Sequence, residues 1–243
     1  MTSRIPEALL GAMAPITIIA GHYGVGKTNF AVNLAVDCAA AGERVALIDL
    51  DVVNPYFRAS EQRRLLEDAG VRLIAPVFSE AKTSLDVPSL TGAIAPALED
   101  AGRVDGLRVI VDLGGDDVGS GAMGRFAKLV REREYAMLYV INRHRNLMQD
   151  PADMLENLRE VETASRLKAT ALVDNAHMKQ LTDAAAIADK DGYALKASEL
   201  TGLPLVAKTV PITLVQENES ELTGTVEASL VYPVRLYVKN PWE

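Results

Sequence analysis

The chain has 243 residues, 49% hydrophobic and 24% charged, with a net charge of −8. This length suits one large α/β core, and the composition excludes a largely disordered chain. The acidic balance argues against recruitment by bulk charge to nucleic acid or anionic membrane, and the single cysteine, Cys38, excludes an internal disulfide or a paired-thiolate metal or cluster site.

Residues 1–14 read as an N-terminal arm. The apolar run from Ala8 to Ala20 follows Arg4 in the manner of a leader sequence, but it contains Pro15, is far shorter than a membrane span, and leads straight into a glycine-rich loop. The expectation is therefore a short arm, a first buried strand at Ile16 to Ala20, no membrane signal and a cytoplasmic protein. The loop that follows, Gly21-His22-Tyr23-Gly24-Val25-Gly26-Lys27-Thr28, matches the phosphate-binding pattern G-x-x-x-x-G-K-[ST] at every fixed position. Its glycines let main-chain N–H groups come close to a polyphosphate, and the helix that opens near Asn29 adds unpaired N–H groups and a positive dipole end. In such a loop Lys27 reaches the outer phosphates and the Thr28 hydroxyl faces Mg2+.

The segment from Asn29 to Ala41 is apolar nearly all round, as in a helix packed against a sheet, and Cys38 falls on the face of Phe30 and Leu34. After Gly42, Val45 to Ile48 is a strand without polar alternation, which predicts a central parallel strand covered on both faces. It ends in Asp49-Leu50-Asp51, followed by Asn54-Pro55. Acids at the carboxyl end of such a strand lie where open α/β sheets bind ligands. A helix over Glu61 to Ala69 and a strand over Val71 to Val77 follow. The polar stretch from Ser79 to Pro88 suggests no chemistry, and a helix is expected after it, up to Glu99. Arg108 to Val111 is the next strand, ending in Asp112-Leu113-Gly114-Gly115, with Gly115 where a backbone would approach a terminal phosphate.

One helix carrying Met123, Phe126, Ala127 and Val130 is expected next, then a strand over Ala136 to Ile141. Asp150-Pro151 marks a helix start, with Met154, Leu158 and Val161 as its buried stripe. A strand over Thr170 to Val173 ends in Asp174-Asn175, a helical region spans Thr182 to Leu200 with a break near Gly192, and Leu205 to Val210 is a strand that stops at Pro211. Ser229 to Val238 has strand composition, and Pro233 assigns it to a sheet edge. The expected organisation is a single nucleotide-binding domain over 1–243, with a C-terminal edge-strand segment at 225–243.

The loop Gly21 to Thr28, the cluster Asp49-Leu50-Asp51 with Asn54-Pro55, and Asp112-Leu113-Gly114-Gly115 together resemble the MinD/ParA-type ATPases, in order along most of the chain to about Pro211. The resemblance implies a three-layer α/β fold of the P-loop NTPase kind, with a mostly parallel central sheet flanked by helices. It also implies ATP and Mg2+ as cofactors. By similarity Thr28, Asp49 and Asp112 serve the metal ion, Lys27 and Asp51 are catalytic with Asp51 orienting the attacking water, and the loop residues through Asn29 hold the phosphates with Gly115. The guanine-reading pattern N-K-x-D is absent, and Asn175 stands where the family places an adenine-reading asparagine. The family commonly has a second lysine near the loop's start that reaches a partner's nucleotide in a nucleotide-dependent homodimer. This chain has His22 there, either as a hydrogen-bond donor or as a loop residue without a catalytic task.

The leading expectation is an ATPase that switches between nucleotide states to act on a protein partner or assembly. An ATP-dependent small-molecule kinase or ligase, with an acceptor near Asp51 and Arg58, is the enzyme alternative. A nucleotide-binding regulatory module with negligible turnover is the third, and a cluster carrier is disfavoured by the lone Cys38. Arg58, Arg143, His144, Arg145 and His177 stand near strand ends, where they meet a substrate or partner or remain solvated. The C-terminal stretch has only Arg235 and Lys239 as basic residues, which gives no membrane-attachment signal.

Overall fold

The computed structural model describes residues 4–51, 59–75, 92–115, 117–176, 182, 187, 192–217 and 227–238. The strands are β1 (Ile16–Ala20), β2 (Val45–Leu50), β3 (Arg72–Ile74), β4 (Arg108–Leu113), β5 (Tyr135–Ile141), β6 (Ala171–Asp174), β7 (Leu205–Pro211) and β8 (Val231–Val234). They form one sheet in the order β3-β2-β4-β1-β5-β6-β7-β8, and every pairing is parallel. The three-layer α/β expectation holds, with a sheet that is wholly parallel. β1, β2 and β6 are buried along their entire length, as continuous apolar runs covered on both faces should be.

The helices are α1 (Glu7–Ala12), α2 (Lys27–Ala40), α3 (Arg63–Asp68), α4 (Ile94–Asp100), α5 (Asp117–Gly124), α6 (Ala127–Arg131), α7 (Pro151–Ser165), α8 (Tyr193–Thr201) and α9 (Ile212–Glu217). α2 packs on β1, β2 and β4, while α5, α7 and α8 pack in succession. The start of α7 follows its sequence signal: Asp150 accepts a hydrogen bond from the Ala152 N–H at 2.8 Å, Pro151 occupies the first turn, and Met154, Leu158 and Val161 are buried. β8 lies at the sheet edge and includes Pro233, as the sequence suggests.

Several elements differ from expectation, among them α9, which the sequence did not suggest, and β8, which covers only Val231–Val234 of the expected stretch Ser229 to Val238. The N-terminal arm contains α1, fixed by Leu9, which is fully buried in the main core. The single helix expected after Asp112 is divided into α5 and α6. Gly124 backs onto α7 so closely that a Cβ would stand 2.7 Å from the Ala164 carbonyl oxygen, and the Phe126 N–H turns to the Met123 carbonyl at 2.8 Å. β3 is shorter than the expected strand, and the stretch 79–88 lies outside the described residues. No described helix is long and apolar enough to cross a membrane.

Candidate functional site

The loop leaves the carboxyl end of β1, at the centre of the sheet, and opens α2 at Lys27. No side chain caps α2, whose first turn, Lys27-Thr28-Asn29, points main-chain N–H groups out of the helix as anion-binding helix starts do. Gly26 precedes them at φ +95°, and a Cβ there would stand 2.2 Å from Asn175 Nδ2. Only glycine combines that backbone angle with that approach. Gly21 lies against the Val140 carbonyl of β5, Val25 is fully buried, and Tyr23 is 55% exposed. Arg145 runs past Gly24, its Nε 3.9 Å from where a Cβ would be.

Lys27 is buried and its Nζ donates to the His22 carbonyl at 3.0 Å, folding the side chain back over the loop. Gly115 comes in from the end of β4. A Cβ on it would meet the Tyr23 N at 2.6 Å and Lys27 Nζ at 2.7 Å, so the two strand-end loops touch at the lysine ammonium.

Asp49 and Asp112 are register partners on neighbouring parallel strands, which points their side chains to the same side. Both are fully buried, and Asp51 is nearly so. The Asp51 N–H donates to Asp49 Oδ1 at 3.1 Å, closing a short turn at the strand end. Burial, followed by the neighbouring Asp49 carboxylate, pushes the Asp112 carboxyl well above the ordinary range, while Lys27 and the nearby Thr28 hydroxyl act in the opposite sense. Neither Asp112 oxygen has a partner in hydrogen-bond geometry. A buried carboxylate with two open oxygens, beside a second acid and a hydroxyl at a phosphate loop, suits Mg2+, which takes one or two carboxylates and completes its shell with water and substrate phosphates. Among the described residues no group of three or more His, Cys, Asp or Glu is set to hold a metal ion.

Asn175, at the end of β6, is almost fully buried and donates to the Val25 carbonyl at 2.5 Å, while its Oδ1 accepts from the Thr209 hydroxyl. One N–H and one acceptor lone pair are used in this way, which leaves one of each. The side-chain oxygen of Asn29 accepts from the N–H groups of Tyr237 at 2.9 Å and Val238 at 3.3 Å, and its Nδ2 is buried without a hydrogen-bond partner. His22 contacts α7: its Nδ1 lies 3.2 Å from Asn157 Nδ2, and Asn157 Oδ1 accepts from the Tyr139 hydroxyl at 2.5 Å. Burial first, and Lys27 second, lower the His22 pKa, with Glu160 opposing.

The structure therefore brings the loop, Asp49, Asp51, Asp112, Gly115 and Asn175 to the carboxyl ends of the central strands. Arg58 and His177 lie outside the described residues. Arg143 and His144 line a cavity of about 400 Å³ with Gln149, Pro151, Tyr193 and Lys196. Sequence reasoning missed Asn157, Tyr139 and Thr209. The usable signal was Tyr139 itself, a hydroxyl within an apolar buried strand that needs a partner.

Residues 16–183 match the CobQ/CobB/MinD/ParA nucleotide binding domain. The chain is 36% identical over 129 residues to the iron-sulfur cluster carrier protein of Deinococcus radiodurans, a match covering 46% of this chain and 37% of that protein. It is 50% identical over 46 residues to the antiactivator FleN of Pseudomonas aeruginosa, covering 18% of this chain and 16% of that protein. The chain thus spans well under half the length of these curated relatives. Among solved structures, the signal recognition particle 54 kDa protein of Aeropyrum pernix K1 in complex with GDP has a TM-score of 0.51 at 25% identity, covering 79% of this chain and 40% of that one. Chloroplast FtsY from Physcomitrella patens has a TM-score of 0.54 at 16% identity, covering 85% of this chain and 63% of that one, a likeness of fold. With the family match running through the phosphate loop and both strand-end acids, the chain belongs to the CobQ/CobB/MinD/ParA nucleotide-binding domain family.

Proposed function

We propose that the protein is a Mg2+-dependent ATPase that changes state with its nucleotide and acts on a partner protein or assembly. The reading rests on Asp112, a fully buried carboxylate with both oxygens unpartnered beside Asp49 and the phosphate loop. A protein retains so costly an arrangement where a cation completes it.

In this reading the main-chain N–H groups of Gly21 to Asn29 wrap the polyphosphate, and Lys27 exchanges the His22 carbonyl for phosphate oxygens. Thr28, Asp49 and Asp112 hold the metal side of the site. When bound, Mg2+ neutralises charge on the phosphates. Asp51 orients and accepts a proton from the attacking water, and the Gly115 N–H faces the terminal phosphate. Adenine is the favoured base: N-K-x-D is absent, and Asn175 retains one N–H and one lone pair beyond its bonds to Val25 and Thr209.

Some relatives are named for iron–sulfur clusters, but within this sequence the only cysteine is Cys38, buried on α2 with its thiol pushed up to about 12. A nucleotide switch, not a thiolate-held cargo, is the proposed common element. A second reading, an ATP-dependent kinase or ligase acting on an anionic metabolite, is favoured by the cavity that Arg143, His144 and Lys196 line.

The test is nucleotide binding and phosphate release by wild type, Lys27→Ala and Asp51→Ala, with ATP or GTP and with or without Mg2+. The expected result is Mg-ATP hydrolysis by wild type, lost binding in Lys27→Ala, and binding without turnover in Asp51→Ala. Normal turnover in Asp51→Ala sinks the water-positioning role. Binding without any phosphate release by wild type favours the regulatory module.

A further inference from the structure

His22 stands at the second position of the phosphate loop, and both of its ends are held. Its carbonyl accepts from Lys27 Nζ at 3.0 Å, and its ring nitrogen Nδ1 lies 3.2 Å from Asn157 Nδ2 on α7. The polarity of the second contact follows from the residue beyond it. Tyr139 is fully buried, and that burial keeps its phenol protonated well above the ordinary range. Its hydroxyl donates to Asn157 Oδ1 at 2.5 Å, an oxygen that can only accept. The amide nitrogen therefore has only N–H to offer, and His22 Nδ1 must accept. The ring proton is then on Nε2, at the edge turned away from α7. Partial burial and the Lys27 ammonium, which outweigh Glu160, keep this imidazole neutral at pH 7.

We propose that His22 is a nucleotide-binding residue that donates its Nε2–H to the nucleotide's polyphosphate, and that Asn157 and Tyr139 are positioning residues that fix this tautomer. The inference rests on the nucleotide-binding reading above. It gives the loop a neutral, oriented donor contributed by the same chain that binds the phosphates. Tyr139 and Asn157 act only through the imidazole. No proton is transferred; the relay sets which nitrogen donates.

The test uses the whole chain and two readouts. Histidine-selective ¹⁵N NMR of the nucleotide-free protein reports the tautomer, with His22→Ala assigning the signal among the three histidines. The expected state is Nε2–H in wild type and a shift towards Nδ1–H in Asn157→Asp, whose carboxylate can only accept. Mg-ATP affinity is then titrated. A hydrogen bond to phosphate corresponds to roughly a tenfold to hundredfold loss in His22→Ala and in Asn157→Asp. His22→Gln, whose amide nitrogen can stand at the Nε2 position, recovers most of the affinity, whereas His22→Asn does not. Wild-type affinity in His22→Ala, equal binding by His22→Gln and His22→Asn, or an Nδ1–H tautomer in wild type overturns the proposal while nucleotide binding stands. A wild type that binds no nucleotide overturns the underlying reading, and the proposal with it.

Discussion

Asn175 donates its amide to the Val25 carbonyl at 2.5 Å, a contact across 150 positions that ties the end of β6 to the middle of the phosphate loop. The same side chain accepts from Thr209 on β7, so strands on one side of the sheet hold a loop that springs from its centre. Asn175→Ala leaves a buried carbonyl and a buried hydroxyl unsatisfied. The expected cost is about 1–3 kcal/mol in urea unfolding, with weaker nucleotide binding measured in parallel.

Gly115→Ala introduces a methyl group 2.6 Å from the Tyr23 N and 2.7 Å from Lys27 Nζ. The loop must shift or the lysine must swing out. Calorimetric titration should show nucleotide affinity lowered by roughly tenfold or more, and the clash with the Tyr23 backbone should lower the unfolding midpoint as well.

Asp112→Asn puts a neutral isostere in place of a buried carboxyl whose charged form is disfavoured by burial and by the facing Asp49. At neutral pH the nucleotide-free variant should be more stable than wild type, by about 1 kcal/mol or more, and should lose the extra stabilisation that Mg2+ gives in the presence of ATP. Thermal unfolding with and without Mg-ATP checks both signs. Equal nucleotide-free stability would remove the case for a strained carboxylate.

Cys38 has its thiol raised from 9.0 to about 12, chiefly by burial and next by the Glu43 carboxylate. An acid whose folded pKa exceeds its unfolded one contributes stability fully below the unfolded value and loses that contribution as pH rises through the folded one. The Cys38 contribution should therefore be complete below about pH 9 and fade towards pH 12, and Cys38→Ala should flatten the stability curve across that window. At pH 8 iodoacetamide should label the unfolded chain and spare the native one.

Asn33, within α2, donates to the Asn29 and Arg235 carbonyls, each at 2.8 Å, and accepts from the Arg235 N–H at 2.8 Å. Asn33→Ala should destabilise the fold by about 2–3 kcal/mol and raise hydrogen exchange selectively over residues 235–238.

Much of this arrangement was legible before any coordinates. β1, β2 and β4 announce themselves as apolar runs ending in glycine or aspartate, because a parallel strand covered on both faces has no room for alternation. The loop is spelled by its glycines, Lys27 and Thr28, and α7 by Asp150 and Pro151. What stayed hidden depends on partners far along the chain. Nothing near Gly124 shows that Ala164 will press on it and divide α5 from α6, and nothing near His22 indicates Asn157, 135 positions away. α1 is too short for its own propensity to decide, and the burial of Leu9 holds it.

The polar face of α2 meets the C-terminal segment four residues at a time: Asn29 with Tyr237 and Val238, Asn33 with Arg235, and Asp37 with the Tyr232 hydroxyl. These partners are 195 to 209 positions apart. During synthesis the phosphate loop and its helix therefore emerge from the ribosome long before the residues that clasp them. A nascent chain already carries the loop's full spelling, but the helix behind that loop gains its last polar partners only when residue 238 is free. The helix behind the loop thus takes on its final polar surroundings late in the synthesis of the chain.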